Sequence, residues 1–385
     1  MYSLLLAVIY LAFVSLGLPD SLLGAAWPTL YAEMNVPLSY MGIVTMIISA
    51  GTIVSSLLTD RAVAKLGTRI VTSISIFLTA ISLFGFSLSG EFYQICLWGI
   101  PYGLGAGAID AALNNYVALH YNSKHMSWLH CFWGVGTIIS PYVMSFTLTR
   151  SGWQMGYRII SCIQCGILVI VLLSLPLWKK KQQKQTEEVT VKPIGLASAV
   201  KIKGVLPVII GFLAYCALES TATLWSSSYF EGVLGSSKDE AAALGSLVFI
   251  GITVGRFAAG FITERLGDSK MIRIGAAVAV VGIILTALPY KAVVIAGFVV
   301  LGLGCAPIYP CIIHSTPARF GKERSQSIIG IQMASAYLGS TLMPPLFGLI
   351  ANHISIALMP LYIAFFLVLM LVLLILADRL TLKEK

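Results

Sequence analysis

Residues 260–267 read Gly-Phe-Ile-Thr-Glu-Arg-Leu-Gly, with Lys270 close behind, and they end an apolar run that begins near residue 240. A carboxylate beside basic residues and glycine at a helix end can hold helix ends together in one state and release them in another. A related stretch stands about 200 residues earlier, where Ser56-x-x-x-Asp60-Arg61 also follows an apolar run and precedes Lys65, Gly67 and Arg69. The two copies differ: Ser56 replaces Gly260, and four more residues separate Asp60 from Gly67 than Glu264 from Gly267, about one helical turn. Further matches keep the same offset and order. Asp20-Ser21 with Trp27 answers to Glu219-Ser220 with Trp225, and Gly134-x-Gly136 followed by Pro141 answers to Gly339 followed by Pro344-Pro345. Three matches in one order and register describe a chain of two repeated halves.

The halves belong in lipid. Of 385 residues 58% are hydrophobic and 11% charged, and the mean hydropathy is +0.90, a composition that a water-facing surface does not tolerate. A hydrocarbon core about 30 Å thick needs roughly 20 apolar residues per helix. The chain breaks into twelve such segments, at about 4–31, 39–60, 68–89, 92–121, 127–149, 155–178, 204–231, 240–263, 269–289, 292–317, 325–351 and 355–378. The expected fold is therefore an all-α membrane protein of twelve transmembrane helices in two six-helix bundles, 1–178 and 204–385. A polar linker, 179–203, opening KKKQQKQTEE, joins them. The first segment has no basic region before it and no A-x-A cleavage pattern, so it reads as a membrane helix and not as a signal peptide.

The net charge of +9 reflects topology. With both termini cytoplasmic, the basic residues of that side include Arg61, Lys65, Arg69, Lys124, the linker lysines, Arg256, Arg265, Lys270, Arg273, Arg319, Lys322, Arg324 and Arg379, against Arg150, Arg158, Lys238 and Lys291 on the other. The positive-inside rule then orients the chain, which is expected in the plasma membrane as a monomer. No basic face with interleaved aromatics suggests nucleic acid. The seven cysteines all fall in predicted spans, and Cys162-x-x-Cys165 without a second pair reads as packing. His120, His125 and His130 are spaced five apart, which rotates successive rings away from one another on a helix, so no metal site is expected.

Two parallel six-helix repeats with the substrate site between them is a transporter plan. On the Gly260-x-x-x-Glu264-Arg265-Leu266-Gly267 loop and the repeat matches, essentially the whole chain resembles the major facilitator superfamily. That resemblance implies a pseudo-two-fold pair of bundles moving by alternating access, with Asp60, Arg61, Glu264 and Arg265 as gating residues.

Ionisable groups inside membrane helices are costly and mark function. Three carboxylates qualify: Asp20, Asp110 and Glu219. Asp20 follows Pro19, which removes a backbone donor, while Gly24 and Trp27 lie four and seven residues on along the same face. A carboxylate with an indole beside it suits a sugar, whose hydroxyls seek charged acceptors and whose C–H faces pack on aromatics. The fourth segment reads Gly99-x-x-x-Gly103-x-x-x-Gly107-x-x-Asp110-x-x-x-Asn114-Asn115; its glycines form a packing ridge, and Asp110 and Asn114 share a face beside it. Here the chain resembles the fucose permease-like sugar–cation symporters, whose fourth helix carries an acidic residue shortly before an Asn-Pro pair and whose first helix carries an aspartate. The resemblance implies Asp20 and Asp110 as substrate and cation-coupling carboxylates and Asn114 as a substrate ligand. Aspartate stands where glutamate is usual, and Asn115 replaces the proline. Proton and sodium both remain open as the coupling ion, and no cofactor is expected.

In the fifth segment His130, Trp133 and Thr137 share a face, and His130 can donate to a sugar hydroxyl or relay a proton. In the second half Glu219, Tyr309 and Gln332 are expected substrate contacts, with Thr223, Ser226 and His314 as further polar residues of the spans. An enzyme is not expected: H-E-x-x-H, G-x-S-x-G and G-x-x-x-x-G-K-[ST] are all missing. The sequence thus reads as a cation-coupled symporter of a monosaccharide or similar small polar solute. The alternative is an exporter of drugs or amphipathic metabolites, which would need a more adaptable apolar cavity.

Overall fold

The computed structural model describes residues 2–178 and 193–382, and these are helical with no strand among the described residues. Among the described residues twelve helices are long and apolar enough to cross a membrane: α1 Leu4–Glu33, α2 Met41–Leu66, α3 Thr68–Leu88, α4 Phe92–His120, α5 Ser123–Leu148, α6 Trp153–Leu173, α7 Val205–Leu234, α8 Ala243–Leu266, α9 Asp268–Thr286, α10 Lys291–Phe320, α11 Lys322–His353 and α12 Ile356–Thr381. Most of the expected linker, 179–192, lies outside the described residues. Lys291 Nζ, at the start of α10, donates at 2.6 Å to Oε2 of Glu240, which lies outside the spans. That hydrogen bond, more than the ammonium's charge, holds the Glu240 carboxyl below its usual range.

Two of the spans are broken where proline or its neighbours interrupt the helical ladder. In α1 the helix Tyr2–Asp20 ends one residue after Pro19 and resumes as Leu22–Glu33. In α10 Lys291–Cys305 gives way to Ile308–Phe320 across Ala306 and Pro307. Each break sits mid-span, where irregular backbone survives because protein surrounds it.

The helices gather into two compact units. One comprises residues 1–116, 129–194 and 322–334, the other 117–128, 195–321 and 335–385. The first turns of α5 therefore pack with the second unit, and the first turns of α11 with the first unit.

Within each unit the same glycine-mediated crossings recur. A Cβ on Gly136 of α5 would lie 2.4 Å from Val14 O of α1, and one on Gly339 of α11 would lie 2.5 Å from Leu213 O of α7. Gly103 of α4 approaches Ile48 O of α2 in this way, at 2.2 Å, and Gly302 of α10 approaches Val248 O of α8 at 2.4 Å. No side chain fits at such distances, so these glycines set how closely the helix axes approach. The α2–α3 and α8–α9 junctions also match: Gly67 adopts φ 78° and ψ 154°, and Gly267 adopts φ 79° and ψ 159°, a backbone region that glycine alone occupies without strain.

The register difference between the repeats now has a structural form. The helix of α2 continues through Leu66, nearly two turns beyond the 39–60 span expected from sequence. Arg61 and Lys65 therefore stand on helix, and Asp60 sits a turn deeper than Glu264.

Candidate functional site

In the first unit the break in α1 exposes a carboxylate and fixes its surroundings. Ser21 Oγ donates to Thr137 O at 2.6 Å and meets Ser140 Oγ at 2.9 Å, tying the broken segment to α5. Asp20 then points its carboxylate at two donors. Trp133 Nε1 reaches Oδ2 at 2.8 Å, and the Tyr102 hydroxyl of α4 reaches Oδ1 at 3.0 Å. Asp20 is nevertheless exposed, although it lies in the middle of a span. Neither donor carries a charge, so the carboxylate keeps oxygen lone pairs for an incoming hydroxyl or cation.

The sequence expected Trp27 as the indole beside Asp20. The structure instead buries Trp27 at 2% exposure, edge-on to Phe92 and tilted against Tyr31. Trp133 supplies the indole. The helix is interrupted at Ser21, between Asp20 and Trp27. Tyr102, which follows Pro101 among the glycines of α4, was missed because a lone tyrosine on a packing ridge carries no spacing signal.

Deeper in the same unit Asp110, Asn114 and His130 form one buried network. Asn114 Nδ2 donates to Asp110 Oδ1 at 2.7 Å and to the Asp110 carbonyl at 3.0 Å, while His130 Nε2 lies 3.1 Å from Asn114 Oδ1. The His130 ring stands edge-on to Phe13 of α1. The helical spacing of Asp110 and Asn114 and the placement of His130 on α5 thus bring together the three residues the sequence singled out. The neighbouring Asn115 faces α11: its Nδ2 donates to Gln326 Oε1 at 2.8 Å, and its Oδ1 accepts from Ser325 Oγ at 2.6 Å. Gln332 is fully buried on the same helix.

In the second unit Glu219 does not stand as Asp20 does. Arg256 Nη2 of α8 pairs with its Oε1 at 3.0 Å, with the arginine side chain 6% and the glutamate side chain 17% exposed. Arg256 was expected among the cytoplasmic-side basic residues; it lies eleven residues before Gly267, inside the span, and is a buried counter-ion. Its signal in the sequence was its distance from the loop. Beside the pair, the Tyr215 hydroxyl donates to Cys305 O at 2.8 Å where α10 breaks, and Tyr309 packs against Phe212 and Tyr215. Thr223 and Ser226 bond to carbonyls of their own helix, Ser226 also to Gly245 O.

Both carboxylates expected at the gate engage residues at the start of another helix. Asp60, buried by its extra turn, accepts from Ser327 Oγ of α11 at 2.7 Å. Exposed Glu264 accepts from Asn122 Nδ2 at 2.7 Å and pairs with Lys124 Nζ of α5 at 3.0 Å. Asp268 adds a contact that sequence reading missed, accepting from Ser123 Oγ and lying 2.7 Å from His314 Nδ1. His314, whose Nε2 meets Tyr121 O at 3.1 Å, belongs to this cluster and not with Glu219. The Ser56-for-Gly260 exchange is compensated across the contact. A Cβ on Gly260 would strike the Trp128 indole of α5 at 2.1 Å, whereas Ser56 faces Gly330 of α11, whose Cβ would lie 2.5 Å from Ser56 O. The small residue has moved to the partner helix.

Among the described residues no group of three or more His, Cys, Asp or Glu side chains is placed to hold a metal ion.

The family model described as Major Facilitator Superfamily matches residues 9–237 and 208–385. Among curated proteins the chain is similar to the glucose/mannose transporter GlcP of Bacillus subtilis, 21% identical, with 91% of this chain and 88% of that protein covered. It is also similar to the cis,cis-muconate transport protein of Acinetobacter baylyi, 24% identical, covering 67% and 65%. Among solved structures the E. coli fucose:proton symporter FucP superposes with a TM-score of 0.78 at 16% identity, covering 98% of each chain. At that identity the likeness is one of fold.

Proposed function

The chain belongs to the Major Facilitator Superfamily and is a secondary transporter and not an enzyme, and from this premise we propose that it carries a monosaccharide or similar small polar solute by cation-coupled symport. The observation that carries the proposal is Asp20: a mid-span carboxylate, open on one side and held by the neutral donors Trp133 and Tyr102. A hydroxylated ligand can donate to that carboxylate while a C–H face rests on the indole. Asn114 and His130 extend the polar set, and Glu219, Tyr309 and Gln332 are the contributions proposed from the second repeat. The cis,cis-muconate relative raises the prospect of an anionic substrate. Arg256 does not favour it here, because Glu219 already neutralises its guanidinium.

Asp110 is the proposed coupling carboxylate, binding a proton or sodium. Its low exposure makes the charged form expensive unless a partner compensates it, so loading and unloading a cation changes what Asn114 and His130 can hold. Alternating access then proceeds by making and breaking the contacts of Asp60 and Glu264, with Arg61 and Arg265 beside them. The positive-inside distribution supports cytoplasmic termini, and the plasma membrane is the proposed location.

Counterflow in proteoliposomes with a panel of sugars, with and without proton or sodium gradients, tests the reading. Sugar exchange supports it, whereas exchange of lipophilic cations and of no sugar replaces it with the exporter alternative. Asp110→Asn is expected to keep counterflow and lose gradient-driven accumulation; unchanged accumulation removes Asp110 from coupling.

A further inference from the structure

Asn115 stands where the resembled symporter branch carries proline, a residue without a side-chain amide. Its carboxamide is used at both ends. Nδ2 donates to Gln326 Oε1 at 2.8 Å and Oδ1 accepts from Ser325 Oγ at 2.6 Å, while Gln326 Nε2 returns to Ala111 O of α4 at 3.3 Å. The three side chains are at most 5% exposed. The cluster lies on the stretch of α11, 322–334, that packs with the first unit, whereas 335–353 packs with the second. Two further contacts hold the same stretch, Ser327 on Asp60 and Gly330 against Ser56. The preceding residue, Asn114, spends its amide on Asp110 and meets His130, so adjacent carboxamides serve the coupling network and the hold on α11.

A packed apolar contact here would hold α11 through burial that water cannot replace. Hydrogen bonds exchange for bonds to water with little net free energy, so a polar cluster can be made and broken in each cycle while still specifying one register. We propose that Asn115 is a positioning residue of the transport cycle: its carboxamide clamps the first turns of α11 onto α4, and release of that clamp frees the 322–334 segment. The clamp requires the carboxamide pair and not merely the volume of the two side chains.

Hydrogen–deuterium exchange on the full-length protein in nanodiscs tests this without a substrate. Asn115→Leu, and separately Gln326→Met, are expected to raise amide exchange across 322–334 at least tenfold while leaving 335–353 within a factor of two. The exchanged pair Asn115→Gln with Gln326→Asn keeps the summed side-chain length and both carboxamides, and is expected to restore wild-type protection. Unchanged exchange in both single variants overturns the proposal. So does an equal rise across 335–353, which marks general destabilisation, or failure of the exchanged pair to restore protection. None of these readouts depends on the sugar assignment, so its failure in counterflow and the failure of the clamp are separate results.

Discussion

Neutralising Glu219 alone should harm the protein more than neutralising Glu219 and Arg256 together. The Arg256 Nη2 to Glu219 Oε1 distance is 3.0 Å, which at an effective dielectric constant of about 20 corresponds to a gross attraction of about 5 kcal/mol. Much of that offsets the cost of taking two ions out of water, so replacing both by neutral groups of similar size should cost only about 0–2 kcal/mol. Removing one partner is different. Glu219→Gln leaves a guanidinium at 6% exposure without its counter-ion, for which about 3–5 kcal/mol is expected. The assay is a double-mutant cycle on purified protein in one detergent, comparing Glu219→Gln, Arg256→Gln and the double variant by chemical denaturation. A coupling energy of at least about 2 kcal/mol with a near-normal double variant supports the ion pair. If Glu219→Gln alone unfolds like wild type, the pair is not formed in the membrane protein and the neutralisation argument against an anionic substrate falls with it.

Trp133→Phe keeps an aromatic surface but removes the indole donor to Asp20; charge-assisted bonds are worth about 1.5–3 kcal/mol, so the transport KM should rise about tenfold to a hundredfold for any substrate found in counterflow. Gly136→Val places a methyl-bearing carbon about where Val14 O already sits 2.4 Å away and should abolish the folded peak in size-exclusion chromatography, whereas Gly42→Ala, with nothing within 4 Å, should be silent. Gly260→Ala should displace Trp128 from its bond to Phe257 O and raise the reactivity of a cysteine at Lys124. Adding Trp128→Ala to Gly260→Ala removes the clash and should restore packing of the helices; if Gly260→Ala is silent by itself, the close approach of α5 to α8 is not maintained.

The sequence was most informative where hydrophobic length or repeat spacing carried the signal. Twelve spans, the paired turns at Gly67 and Gly267, and the shared face of Asp110 and Asn114 all follow from spacing on unbroken helices. Reading failed where the helix does not continue. Trp27 lies beyond the Asp20 break, and the 3.6-residue projection across it pointed to the wrong indole. It also failed for partners from distant segments. Tyr102, Arg256 and Ser327 reach their carboxylates, and Asp268 its partners Ser123 and His314, across separations that no local pattern encodes, and Arg256 was further hidden because arginines near span ends usually report topology.

The two repeats conserve positions while redistributing chemistry among them. Asp20 and Glu219 occupy matching places, but one is held by an indole and a phenol and the other by a guanidinium. Asp60 and Glu264 both bond at the start of another helix, but the added turn in α2 buries the first against a hydroxyl, while the second is exposed beside an ammonium. These differences have one direction. In the second repeat the carboxylates are matched by cations, so their charge is balanced within the fold. In the first repeat Asp20, Asp110 and Asp60 are held by neutral donors. Neutral donors stabilise a carboxylate without cancelling its charge, and a site that must load and release a cation in every cycle needs that property. The contrast between Asp20 and Glu219 therefore favours the proposed assignment of substrate and cation chemistry to the first repeat.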